Sequence, residues 1–170
     1  EYFEQQLDYQ AHYDRSTGLP NRALFMERLN QAIATAQEAR QPIAVLVLDL
    51  DRFKNFNDTY GHQAGDRVLV DFTQRVKLLL RTTDVFGRMG GEEFILLLPQ
   101  TALNEALQVA ERIRCSLAVA DISPPYTASF GVATAVGGAP AIESLIANAD
   151  TALYRAKATG RNRVEFTPPP

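Results

Sequence analysis

The 170-residue chain predicts an α+β fold with a βαββαβ core, in which helices pack a mostly antiparallel central sheet. Three observations predict it. The run 43–51, IAVLVLDLD, is continuous, aliphatic and rich in β-branched residues, as a central strand covered on both faces requires. Segments 84–88 and 92–99 flank Gly90-Gly91 and read as a β-hairpin, since glycine accepts the positive φ values of a tight tip. Helical periodicity fills the intervals on either side of that hairpin. The plan is ferredoxin-like, or palm-type, with extra helices.

Each element follows in order. Residues 1–14 are polar, with Phe3, Leu7 and Ala11 at helical spacing, and read as the end of a linker or signalling helix. Residues 17–21, TGLPN, form a turn, with Asn21 placed to cap the next helix. That helix runs to about Arg40 with Leu24, Phe25, Leu29 and Ile33 on one face, and Pro42 ends it. After the first strand, residues 52–66 read as a polar loop with room for helical turns. A second helix spans about Asp66 to Leu80, with Val68, Leu69, Phe72, Val76 and Leu79 inward. A third covers 103–119, with Leu103, Leu107, Ala110, Ile113 and Leu117 in phase, and Pro124-Pro125 interrupts the chain. Residues 126–133 alternate, with Ala128, Phe130 and Val132 on one face. A fourth helix runs from about Ile142 to Thr159 and stops at Gly160. Residues 163–166 read as a short last strand. The expected division is 1–14 linker helix, 15–167 folded domain and 168–170 tail, with no repeats.

Bulk properties exclude several classes. Seventeen basic and twenty acidic residues give a net charge of −3, so no global field favours nucleic acid or an anionic membrane. The single cysteine, Cys115, excludes a disulfide framework and suits a reducing compartment; its position in a helical pattern reads as a small core or half-buried residue. No apolar run approaches the ~18 residues of a membrane span, and no signal peptide is visible. The chain begins at Glu1 and reads as a fragment of a longer protein, with room outside it for membrane or sensor segments.

Topology brings charges together. A strand–helix–strand crossover makes 43–50 and 84–88 parallel, and the hairpin sends 92–98 back beside 43–50. Asp49, Asp51, Glu92 and Glu93 then share one end of the sheet. Carboxylates gathered there repel unless a cation meets them. A hard divalent ion does so, because Mg²⁺ takes carboxylate, carbonyl and phosphate oxygens. Gly90 and Gly91 let a ligand approach the backbone, and Lys54, Lys157 and Arg161 are candidate phosphate contacts. Each feature alone also has a bland reading. A DxD pair is commonly a solvated strand end, and Lys157 and Arg161, one helical turn apart, a wet helix face. His12 and His62 lack metal-ligand spacing.

Five blocks, in order, carry a resemblance: DRSTGLPNR (14–22), LDLDRFKNFNDTYGHQAGD (48–66), RTTDVFGRMGGEEF (81–94), ASFGVA (128–133) and ADTALYRAKATGRNRV (149–164). Over nearly its whole length the chain resembles the GGDEF-domain family, the diguanylate cyclases, with a GGEEF variant of the signature. Ser16 stands where the family usually writes Leu. The resemblance implies a nucleotide-cyclase-like fold and a Mg²⁺-dependent enzyme, with Mn²⁺ as an alternative ion, condensing two GTP into cyclic di-GMP and two pyrophosphates. It implies that Asp49 and the Leu50 carbonyl bind metal. Glu92 would bind metal and serve as base for the 3′-hydroxyl, with Glu93 beside it. Asn57 and Asp66 would read guanine, whose N–H edge suits a carboxylate. Phe53, Lys54, Gly90, Gly91, Lys157 and Arg161 would line the substrate. Arg81 and Asp84, an RxxD motif, would form an inhibitory product site for cyclic di-GMP, with Arg88 as a further cation; the bland reading of that motif is a surface salt bridge.

One domain offers one GTP half-site, so the resemblance implies a homodimer, set by an upstream sensor through the helix at 1–14. It places the chain in the bacterial cytoplasm, with the full-length protein free to be membrane-tethered. The competing readings are a catalytically silent receptor for cyclic di-GMP or GTP, and a structural dimerisation module. Retention of both glycines and both signature carboxylates favours the enzyme.

Overall fold

The computed structural model describes residues 1–119, 121–136 and 142–169. Pro170, the last of the expected tail, lies outside the described residues. The elements are α1 (Tyr2–His12), α2 (Arg22–Ala39), β1 (Pro42–Leu50), α3 (Phe53–Tyr60), α4 (His62–Leu78), β2 (Val85–Gly90), β3 (Glu93–Pro99), α5 (Leu103–Ala118), β4 (Ala128–Val136), α6 (Ile142–Ala158) and β5 (Val164–Phe166).

The five strands form one sheet in the order β2-β3-β1-β4-β5. β1 lies at its centre, antiparallel to β3 and β4, while β5 runs parallel to β4. Because β2 is antiparallel to β3, β1 and β2 point the same way, as a crossover connection demands.

The unbroken apolar run of β1 is explained by helices on both faces. Ala44, Leu46, Leu48 and Leu50 join a core with Val68, Phe72 and Val76 of α4 and Ala110 and Ile113 of α5. Ile43, Val45 and Val47 join a second core with Phe25, Leu29 and Ile33 of α2 and Leu145, Ala149 and Leu153 of α6. Period-2 alternation assigns the two sets to opposite faces. Asn21 caps α2, its side chain accepting from the Leu24 N–H at 3.1 Å.

Three expectations need correction. The segment after β1 is a helix, α3, and α4 begins at His62, not near Asp66. Gly61, at φ +89°, makes the break between them, and Phe53 and Phe56 pack α3 onto the core despite its polar sequence. On β4, Ala128, Phe130 and Val132 share one face as expected, and Ala133 and Ala135 are buried on the other, because α5 and α6 cover opposite sides of the strand. Cys115 is exposed: the inward row of α5 is Ala106, Ala110, Ile113 and Leu117, and Cys115 falls out of phase beside Glu111 and Arg114. α1 buries none of its residues, so Phe3 and Leu7 stand exposed at its surface.

Candidate active site

Asp49 and Glu93 lie directly opposite one another in the β1–β3 register, at the end of the sheet where the hairpin tip folds over. The Leu50 N–H donates to the Glu92 carbonyl at 3.2 Å, so the signature turn is stitched to the end of β1. Gly91 adopts φ +49°, and a register shift between Arg88 and Gly90 bends the tip.

Asp49 continues the row Ile43, Val45, Val47, and therefore points toward α2 and α6. It is only 7% exposed. Lys157, in the last turn of α6, forms an ion pair with Asp49 Oδ2. Burial pushes the Asp49 carboxyl up; Lys157 opposes this, and the charges of Glu92 and Asp51 add to it. Burial also raises Glu93, reinforced by Asp150 and Asp49 and opposed by Lys157 and Arg22. Asp150 is raised by burial against the attraction of Arg22 and Lys157. Acids and bases thus alternate along the rim, with more negative than positive charge on the strand ends.

Asp51 does not join this row. It turns toward the start of β4 and the segment after α6, where both its oxygens accept hydrogen bonds. Among the described residues no three His, Cys, Asp or Glu side chains are close enough to enclose a metal. The donor set still suits a hard cation: Asp49 is a buried carboxylate compensated by one lysine, with Glu92 and Glu93 nearby. Mg²⁺ commonly takes one or two protein carboxylates and completes its shell with water and phosphate, and this chemistry fits the rim.

The remaining expected residues lie on α3, on α4 and in the turn after α6. Asn57 sits on α3 with its Oδ1 buried and without a hydrogen-bond partner among the described residues. Gly65 of α4 packs so tightly that a Cβ there would meet Asn57 Oδ1 at 1.8 Å. Asp66 follows, exposed, after the first turn of α4, and Lys54 is exposed on α3, with Phe53 half-buried. Arg161, at φ +62°, lies in the turn between α6 and β5.

Arg81 and Asp84 lie before β2, at the opposite end of the sheet. Asp84 is held by the Arg81 backbone N–H at 2.8 Å and by Arg81 Nη2 at 2.8 Å, and the same Nη2 donates to Thr101 Oγ1 at 2.8 Å. Arg88 is committed elsewhere: Nη1 pairs with Asp14 Oδ2 at 3.1 Å, and Nε donates to the Gly91 carbonyl at 3.0 Å. To hold a product it would have to exchange those partners.

Residue spacing did not reveal Arg22, Asp150, Gly65 or Asp14. Asp150 precedes Lys157 by two helical turns on one face of α6, which is the one signal that helical spacing offers. The other three depend on contacts between distant segments.

The five-stranded sheet thus gathers Asp49 and Glu93 at one rim, with Lys157 reaching Asp49 from the last helix. Residues 11–163 match the family described as diguanylate cyclase, GGDEF domain, and the chain belongs to that family. It is 45% identical over 163 residues to the diguanylate cyclase DgcM of Escherichia coli (strain K12), covering 95% of this chain and 40% of that protein. The chain therefore spans less than half the length of that relative. The coiled coil and GGDEF domain of DgcB from Caulobacter crescentus, in complex with c-di-GMP, superposes with a TM-score of 0.89 at 33% identity, covering 98% of this chain and 91% of that one. The active GGEEF domain of a diguanylate cyclase from Vibrio cholerae gives 0.81 at 33% identity, covering 87% of this chain and 96% of that one.

Proposed function

We propose that this domain condenses two molecules of GTP into cyclic di-GMP, releasing two pyrophosphates, with its GGEEF turn as the working signature. The observation that carries the reading is the pairing of Asp49 with Glu93 at the rim, with Glu92 tied to Leu50, in a chain whose relatives include diguanylate cyclases.

Asp49, the Leu50 carbonyl, Glu92 and Glu93 are the groups that would hold Mg²⁺ or Mn²⁺. When bound, the ion supplies charge compensation for the triphosphate and its leaving group. Asn57 and Asp66 bind guanine, whose N–H edge suits a carboxylate. Lys54 and Arg161 bind the phosphates. Lys157 neutralises Asp49 in the ligand-free protein and stands ready to contact the phosphates. Glu92 accepts the proton of the 3′-hydroxyl. That oxygen bonds to the α-phosphorus of the facing GTP, the bond to the β-phosphate bridging oxygen breaks, and pyrophosphate leaves. One half-site per chain requires two copies to face each other with two-fold symmetry.

Arg81 and Asp84 form the product site, where cyclic di-GMP would take over the hydrogen bonds they now exchange with each other, and Arg88 would add a cation. Among the described residues no helix is long and apolar enough to cross a membrane. A sensor upstream in a longer chain would act through α1.

The test is incubation with GTP and Mg²⁺, with the products separated by chromatography. The wild type should yield cyclic di-GMP, and Glu92→Ala should lose at least about 100-fold of that rate. Equal product from both would remove Glu92 from the chemistry. Cyclic di-GMP bound but never made by a demonstrably dimeric wild type would replace the enzyme with a silent receptor.

A further inference from the structure

The rim holds two aspartates, and only one faces the carboxylates of the hairpin. Asp51 has both oxygens engaged. Its Oδ1 accepts from Ser129 Oγ at 2.6 Å, and its Oδ2 accepts from Thr127 Oγ1 at 2.7 Å and from the Asn162 backbone N–H at 3.0 Å. The Asp51 N–H in turn donates to the Thr127 carbonyl at 2.9 Å. One side chain thus fastens the end of β1 to the start of β4 and to the turn between α6 and β5.

That turn is unusual. Gly160 (φ +133°), Arg161 (φ +62°) and Asn162 (φ +45°) are three consecutive residues at positive φ, two of them not glycine. Left-handed backbone at non-glycine residues persists only where surrounding contacts over-determine it. Three contacts do so here. The Arg161 N–H donates to the Ala156 carbonyl at 2.9 Å, Arg114 Nη1 donates to Asn162 Oδ1 at 3.2 Å, and Asp51 takes the Asn162 N–H. Of these, Asp51 alone ties the turn to β1. Asp51, Arg52, Arg161 and Asn162 line one cleft of about 550 Å³.

We propose that Asp51 is a positioning residue: it locks the left-handed turn that presents Arg161 to the triphosphate, and it does not ligate the metal. The proposal rests on the reading of Arg161 as a phosphate contact. A carboxylate already accepting three short hydrogen bonds would have to give them up to bind an ion, whereas Asp49 has only Lys157 to exchange. The geometry also predicts which substitution is tolerated. An asparagine whose amide oxygen takes the Oδ2 position keeps the bonds from Thr127 and Asn162. Its NH₂ then faces Ser129, whose hydroxyl can accept as readily as it donates. A metal ligand would not survive that loss of charge; a positioning residue does.

The experiment measures the affinity of a non-hydrolysable GTP analogue with Mg²⁺, and separately of GMP, by calorimetry on wild type, Asp51→Ala, Asp51→Asn, Arg161→Ala and the Asp51→Ala/Arg161→Ala double variant. Asp51→Ala and Arg161→Ala should each weaken the analogue about tenfold, and the double variant no further than either alone. Asp51→Asn should stay within about twofold of wild type, and GMP, which lacks the terminal phosphates, should bind all five alike. Loss of the analogue in Asp51→Asn overturns the proposal, even if Asp51→Ala fails to fold. So do losses that multiply in the double variant, or wild-type affinity in Asp51→Ala beside a loss in Arg161→Ala. Wild-type affinity in Arg161→Ala alone would instead refute the phosphate reading on which the proposal stands.

Discussion

Glu93 is a residue at which stability and chemistry oppose each other. Burial raises its carboxyl above the ordinary 4.5, with Asp150 and Asp49 adding repulsion. The folded state therefore binds the proton more readily than the unfolded chain does. By linkage, this group's contribution to stability falls as pH rises from about 4.5 through the raised value. Glu93→Gln should flatten that part of the profile and raise the melting temperature of the ligand-free domain near neutral pH. Thermal melts between about pH 4 and pH 8 check this, and a profile identical to wild type would show the charge to be harmless there. Such a cost at a functional site is commonly tolerated because a bound cation removes it. The acidic rim was legible from sequence because strand register follows from hairpin and crossover rules. The sorting of its members was not: Asp49 and Asp51 look alike in a DLD string, and only the donors Thr127, Ser129 and Asn162 separate them.

At the scale of elements, the signature hairpin is held from outside the sheet. Arg88 joins it to Asp14, in the turn that follows α1, while the Arg88 N–H donates to the Pro20 carbonyl at 2.9 Å. Burial opposes ionisation of Asp14. Hydrogen bonds from Thr17 and the partnership with Arg88 outweigh it and hold the carboxyl below the ordinary 3.8. Its stabilisation is present above that value and is lost as pH falls through the lowered one. Asp14→Ala leaves Arg88, 12% exposed, without its carboxylate. The loss should be roughly 1–3 kcal/mol, read from urea denaturation with an unchanged m value. A change under about 0.3 kcal/mol would mean that the pair is solvated and idle. Helices α2, α5 and α6 were legible from apolar spacing, and β1 from its unbroken run. α3 was not, because Asn55, Asn57 and Asp58 are weak helix formers and its stability comes from Phe53 and Phe56 packed on the core.

Across the whole molecule, the sheet separates two sets of charges. Asp49 and Glu93 occupy one end of the strands, and Arg81 and Asp84 lie at the other, one strand length away. A product held by Arg81 and Asp84 would sit away from Asp49 and Glu93 of its own chain, and inhibition would then act by fixing how two copies face each other. The rim itself is the claim on which the reading depends. It is tested most directly by Mn²⁺ electron paramagnetic resonance in the presence of a non-hydrolysable GTP analogue. The wild type should show protein-bound Mn²⁺, and both Asp49→Ala and Glu92→Ala should lose it while remaining folded. Bound Mn²⁺ that persists unchanged in both variants would contradict the account.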